Sequence, residues 1–443
     1  MNVSHLTRVS AALTAAAIVA TGCAGVQEPP PSSPRRPASA PPAGVVGRVH
    51  GEVWTTGLNE GGQLGRDARQ HPMNVALAPA AGPAGRPRLT GVYAVASGAR
   101  HSLAVLQGGL VVAWGANDKG QLGDGTTRAR TVPQPVRAPG GRVGPLRGAV
   151  AVAADTDFSM ALLRDGTVVT WGAGDAGQRG YGRRKPPLTP TKVLRPDGRG
   201  PLTDVTAIAA DGSTEMALLR NGSVVAWGAN NFGMIGDGTT RSRPLPRPVR
   251  GPDDAPALTG VTQIAIGGQH GLALLRDGTV AAWGRNQLGQ LGDASTTDRV
   301  SPVRVAGMRG LPVLRDVVAI SAGERHNYAL RSDGTVVAWG DNAAGQLGDG
   351  SYTGSPRPVL VAGTHGTRLR GVARVFAGEA FGVAVLADGT PLTWGSGGKG
   401  QLGSGNRVPR NRPGPIVLAE GRKAGRVLDV GAGRRHLALL MRW

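Results

Sequence analysis

Short apolar runs with an alternating pattern recur along most of the chain. In Val261-Thr-Gln-Ile-Ala-Ile-Gly267 large and small residues alternate, and His270-Gly-Leu-Ala-Leu-Leu275 and Thr279-Val-Ala-Ala-Trp283 follow within a few positions. Such alternation predicts three consecutive β-strands, the first suited by its small residues to a crowded place near an axis. Asp277-Gly278 separates the second run from the third, and an Asp-Gly pair between apolar runs predicts a tight hairpin with both turn residues at positive φ. The pair recurs at 165, 333 and 388, with Asn221-Gly222 standing in once. A proline-bearing segment such as Pro356-Arg-Pro-Val-Leu360 suits a fourth, outer strand that lacks some donors.

This unit repeats. Trp114-Gly-Ala-Asn-Asp-Lys-Gly-Gln-Leu-Gly123 returns at Trp227, Trp283 and Trp339, while Trp171 and Trp394 head two further copies. A first copy starts at Gly57 with Thr56 in the tryptophan position, and the glycines at 57, 115, 172, 228, 284, 340 and 395 are spaced by 55 to 58 residues. Four strands repeated at one period predict an all-β fold, a seven-bladed β-propeller of four-stranded blades. The chain ends on the first two strands of a unit (427–440) and the repeat region opens on the third (51–57). The ring is therefore expected to close by pairing of N- and C-terminal strands, with the propeller spanning 45–443.

The linked motifs G-x-x-H-x-x-A-L, D-G-x-V-x-x-W-G and N-x-x-G-Q-L-G, in that order, resemble the regulator of chromosome condensation repeat family over roughly residues 45–441. The resemblance implies a seven-bladed propeller acting as a binding platform. The family includes an exchange factor for a small nuclear GTPase and a secreted bacterial inhibitor of β-lactamases. Neither activity transfers residue by residue, because the chain has no distinct wedge insertion and its surface is poor in aromatics.

Composition adds location more than chemistry. The 443 residues include 72 Gly and 33 Pro, which exclude a mainly helical protein. Residues 1–22 read as an export signal: Arg8 precedes an apolar run from Val9 to Ala20 that is shorter than the about 20 residues a spanning helix needs. Cys23, the only cysteine, follows it in a setting that resembles the lipobox of bacterial lipoproteins, with Ala20 where that family usually has Leu. Lipidation of Cys23, a proline-rich tether over 23–44 and a place on the outer side of the cell membrane are the expectations. With no other cysteine, neither a disulfide nor thiolate-bound zinc can hold the exported domain. The net charge of +21 becomes +20 without residues 1–22. A charge of that size favours anionic partners and salt-sensitive association, yet the basic residues form no dense tract and 45 of the 50 are arginines.

Catalytic signatures are sparse. Gly172-Ala-Gly-Asp-Ala-Gly177 and Gly395-Ser-Gly-Gly-Lys-Gly400 match G-x-G-x-x-G but lack the following helix of a dinucleotide site. His101, His270, His326 and His436 occupy a repeat position held elsewhere by Phe158, Thr214 and Phe381, which reads as a packing slot. No cofactor or metal is expected. The residues just before that slot vary between copies: Arg100, Asp157, Ser213, Gln269, Glu324, Arg325, Glu379, Arg434 and Arg435. Alternating strand direction places them on one face with the turns after the third strands (124–130, 237–243, 297–299, 351–353 and 406–407), a candidate docking surface for a protein or anionic envelope polymer. The expected molecule is a monomeric, non-enzymatic, membrane-tethered binding protein without a nucleic-acid partner. Competing readings are a polysaccharide hydrolase or lyase using Asp157, Glu324 or Glu379, a secreted enzyme inhibitor, and an exchange-type regulator.

Overall fold

Each repeat folds as a four-stranded antiparallel sheet, and seven such sheets surround a central channel. The structure, a computed structural model, describes residues 50–443 except 70–72, 84–85, 183–187, 253–254, 364–366 and 420–423. Residues 1–49, on which the expected signal segment, the lipidation of Cys23 and the expected tether fall, lie outside the described residues. In the blade that begins at Val261 the strands run Val261–Gly267, His270–Leu275, Val280–Gly284 and Arg299–Arg304. The first strand of each blade lines the channel, whose volume is about 390 Å³, so its small residues sit where the blades converge.

Closure is as the terminal half-units require. Glu52–Leu58 lies between Met73–Pro79 and His436–Arg442 and pairs with the latter without a break, from Glu52 opposite Met441 to Gly57 opposite His436. The ring therefore leaves no unpaired edge between its last and first strands.

The blades pack through buried apolar clusters that mix residues from neighbouring repeats, each centred on a tryptophan. The six tryptophans that head the repeats are fully buried, and their indole N–H groups reach back to the preceding blade. Trp114 donates to the Gln63 carbonyl at 2.9 Å, Trp283 to Met234 at 2.8 Å and Trp339 to Gln290 at 3.1 Å. At the closing blade Thr56 takes over, its hydroxyl donating to the Gly400 carbonyl at 2.9 Å. A buried aromatic ring with a satisfied donor supplies both area and register.

Side chains also stitch the inner strands together. Gln263 exchanges two 3.0 Å hydrogen bonds with the backbone of Ile320, and the Ala377 N–H donates to the Ser321 hydroxyl at 2.9 Å. The Asp429 carboxylate accepts from the Val95 N–H at 3.0 Å, and its burial raises its pKa to about 6.

The hairpin between the second and third strands differs from expectation. Only the glycines take positive φ, for example Gly166 at 78° and Gly278 at 75°, while the aspartates do not. The Gly166 N–H donates to Leu163 and the Leu163 N–H to Thr167, which makes a three-residue loop with a glycine bulge. The physical reason lies one residue downstream: Thr167 donates both its hydroxyl (2.7 Å) and its N–H (2.9 Å) to Asp165. That side-chain turn holds the aspartate at negative φ.

Candidate functional site

The turn joining the first two strands and the loop leaving the third share one face because the strands alternate in direction. Gly115, at the end of a third strand, shows the contact: the following Ala116 N–H donates to the Arg100 carbonyl at 2.8 Å. Gly115 has φ of 110°, and a Cβ there would stand 2.5 Å from that carbonyl oxygen, so this junction requires glycine.

Around the channel mouth the first turns bind one another. The Glu324 N–H donates to the Glu379 carbonyl at 3.2 Å, the Glu379 N–H to Gly433 at 3.4 Å, and the Arg434 N–H to Gly98 at 3.4 Å. The Ser213 N–H completes a similar contact with the Asp155 carboxylate at 3.0 Å. This collar narrows the channel to an opening of about 150 Å³ lined by Asp155, Asp211, Glu324, Glu379 and Arg434.

Each predicted residue of the docking surface can be placed on this collar. Arg100 donates to Asp118 at 3.1 Å and stands 3.9 Å from Asp157, whose carboxylate accepts from the Gln121 amide at 2.9 Å. Burial raises the Asp157 carboxyl above its ordinary pKa. Gln269 accepts from the Arg285 guanidinium. Arg325 lies 3.8 Å from Glu324, and Arg435 lies 3.9 Å from Glu379. Burial, then the neighbouring Glu324 carboxylate, raises the Glu379 pKa, while Arg434 opposes the shift.

Four of these residues converge. Glu324, Arg325, Glu379 and Arg435 line a polar cleft of about 540 Å³ together with Asp341 and Lys399 from the loops after two third strands. Arg100 and Asp157 form a separate cluster, and Gln269 stands apart from both. The cleft can offer forked guanidinium donors beside carboxylate acceptors. The Glu324 and Glu379 carboxyl groups face the same cleft as like charges.

The loops after the third strands are less free than their variable sequence suggests. The Asn117 amide donates to Asp124, Thr126 and Arg128, while its carbonyl accepts the Leu122 N–H at 2.9 Å. Asp124 in turn accepts from Thr126 at 2.7 Å and from Arg130 at 3.1 Å. Asn230, Asn286 and Asn342 build the same cage. The spacing Asn, then Asp seven residues on, then Ser or Thr two further, was the available signal for it. In the repeat at Trp171 the asparagine position is Gly174, and the fully buried Arg179 donates instead to Gly172, Thr189 and Thr191. Burial lowers the Arg179 pKa to about 10.

The histidine slot is a latch between blades. His101 pairs with Ser159 of the next blade at 2.8 Å, His270 with Asn327 at 2.7 Å, and His436 with Ser102 at 3.0 Å. Ser159 then donates to the Gln121 carbonyl at 2.9 Å, the acceptor that Trp171 also uses. Burial lowers the pKa of His101 and His270 to about 4 and of His326 and His436 to about 3. These rings are neutral at neutral pH and closed to solvent. Other junctions lack the latch, and at the one after Phe158 the next blade places Glu215 at the position of Ser159, fully buried, with neither carboxylate oxygen hydrogen-bonded among the described residues. Burial, then Asp155 and Asp211, push its pKa well above the ordinary value.

Residues 44–364 match the family described as RCC1-like domain, and residues 388–440 match the regulator of chromosome condensation (RCC1) repeat. The chain is 28% identical over 348 residues to the ultraviolet-B receptor UVR8 of Arabidopsis thaliana, covering 78% of this chain and 73% of the receptor. It is 30% identical over 329 residues to the human E3 ubiquitin-protein ligase HERC2, covering 73% of this chain but only 6% of the ligase. Among solved structures, human WBSCR16 superposes with a TM-score of 0.73 at 21% identity, covering 88% of this chain and 99% of that one. Yeast Prp20p, whose binding to Gsp1p and histones has been described, gives 0.71 at 22% identity over 88% and 92% of the two chains. The closed ring, the repeated tryptophan junctions and these matches together show that the chain belongs to the RCC1-like domain family.

Proposed function

We propose that the protein is a non-enzymatic binding protein, tethered outside the cytoplasm through a lipid on Cys23, that recognises a protein or envelope polymer with the collar face. The observation that carries this reading is the cleft in which Arg325, Arg435 and Lys399 stand beside Glu324, Glu379 and Asp341 on a rigid rim. Fixed charges of both signs select a partner by register more than by total charge. The family supports a binding or regulatory role, as in relatives such as the UVR8 receptor.

Two experiments test the parts separately. Reversal of Arg100, Arg325 and Arg435 to Glu removes partner capture from solubilised membranes while the circular dichroism spectrum stays unchanged; unchanged capture refutes the collar as the contact surface. Cys23→Ser moves the protein from the membrane fraction to the soluble fraction and abolishes the mass increment of the lipid. A mature chain of unmodified mass refutes the anchor alone.

A further inference from the structure

The opposite face of the propeller carries charge of a different kind. There an exposed arginine stands at the start of the first strand or two residues before it, or just after the second, in six consecutive blades: Arg147, Arg220, Arg276, Arg315, Arg370 and Arg426. Backbone contacts fix these junctions on one rim, for the Arg164 N–H donates to Gly148 at 2.9 Å and the Arg276 N–H to Gly260 at 2.9 Å. On the collar face Arg100, Arg325 and Arg435 each have a carboxylate within 4 Å. Among the described residues Arg147, Arg276, Arg315, Arg370 and Arg426 have none, and Arg220 has only Asp204 at 3.7 Å. The hairpin aspartates on this face are engaged by their own turns, as Asp277 is by Thr279 at 2.6 Å.

Two further observations fall on the same face. The loops from a fourth strand to the next blade carry Val143 and Leu311, the two most exposed large apolar side chains among the described residues, at 104% and 62% relative exposure. Each stands beside an exposed arginine, Arg142 or Arg309. The chain also enters the propeller here: the Gly51 N–H donates to the Val92 carbonyl at 3.1 Å, at the start of a first strand, and Glu52 pairs with Met441 close to the partly exposed Trp443. Residue 50 therefore lies on the arginine-rich side.

We infer that this face lies against the anionic phospholipid headgroups of the membrane. Its exposed guanidinium groups, of which Arg315 and Arg370 also act on the hairpin carboxylates of Asp277 and Asp333, bind phosphate, and Val143 and Leu311 enter the boundary of the acyl region. A nucleic acid would use the same arginines but gives two isolated aliphatic loop tips nothing to insert into. The geometry then turns the collar outward, toward a partner. The orientation rests on the proposed anchor at Cys23, whereas the affinity for anionic lipid does not.

The test uses the full chain carrying Cys23→Ser, free of lipid, in sedimentation with vesicles of phosphatidylcholine alone or mixed with phosphatidylglycerol. Binding is expected to the mixed vesicles only and to weaken as salt rises. Combined reversal of Arg147, Arg315 and Arg370 to Glu lowers the partition at least on the order of a hundredfold. Val143→Ser with Leu311→Ser lowers it further, and reversal of the collar arginines leaves it unchanged. Equal binding to neutral vesicles, insensitivity to the three reversals, or binding of duplex DNA without binding of vesicles overturns the inference. If vesicle binding holds while native Cys23 proves unmodified, only the anchor fails.

Discussion

Replacing Glu215 by Ser supplies a hydrogen-bonding side chain at an inter-blade junction that lacks a latch. In wild type the carboxyl group is fully buried with both oxygens unsatisfied among the described residues, and such a group costs about 1–3 kcal/mol. Serine at the equivalent position of the preceding blade donates to Gln121, and the Gln178 carbonyl that Glu215→Ser would meet accepts, among the described residues, the Trp227 indole at 2.8 Å. Net stabilisation of about 1–3 kcal/mol is expected, reduced somewhat by the smaller volume. Phe158→His in the same chain adds the His101–Ser159 geometry and should couple by about 1 kcal/mol in a double-mutant cycle. The pH dependence gives the sharper check. Because the folded pKa of Glu215 is raised, the native state retains a proton that the unfolded chain has released. Its penalty is absent below the unfolded value of about 4.3 and grows by up to about 1.4 kcal/mol per pH unit until the folded pKa is reached. Urea denaturation at pH 4, 6 and 8 should show Glu215→Ser gaining on wild type as pH rises. A variant destabilised at pH 8, or a difference constant across the series, refutes the buried orphan carboxylate.

Three other outcomes follow from the same packing. Trp283→Phe removes the indole donor to the Met234 carbonyl, for a loss of about 1–3 kcal/mol in chemical denaturation. Arg179→Leu restores the common sequence of the turn but orphans the acceptors on Gly172, Thr189 and Thr191, and a loss of about 3 kcal/mol is expected in the same assay. His326, whose ring nitrogens have no partner among the described residues, takes the Phe found at two equivalent positions: His326→Phe should be stabilising. Its folded pKa near 3 lies below the unfolded value of about 6.5, so the gain over wild type grows as pH falls through that window, read from thermal melting at pH 7 and pH 5.

The sequence made the ring legible because each blade repeats the chemistry of its junctions. The tryptophan, the glycine after it and the Gln-Leu-Gly turn occur together since one blade's indole needs the previous blade's carbonyl, and the terminal half-units could be matched on strand order alone. The alternation of strand direction was enough to gather Arg100, Glu324, Glu379 and Arg435 onto one face. It did not reveal that Glu324, Arg325, Glu379 and Arg435 share a cleft while Arg100 and Asp157 do not, because that depends on which blades adjoin. The hairpin class was misread because Asp-Gly suits two loop lengths, and the deciding group is the following threonine hydroxyl. The cage around Asn117 was hidden by its spread over a dozen residues. The arginine rim was harder still, since its members lie one or two per repeat and become neighbours only when the ring closes.

Site-specific photo-cross-linking in intact membranes tests the central claim most directly. A photoreactive residue in place of Gln269, Arg325 or Lys399 on the collar, compared with one in place of Arg276 on the opposite rim, reports which face meets a partner. A discrete adduct from collar positions, lost on reversal of Arg435, is the expected result. Adducts of equal yield from both faces, or from the opposite rim to protein alone, would contradict it.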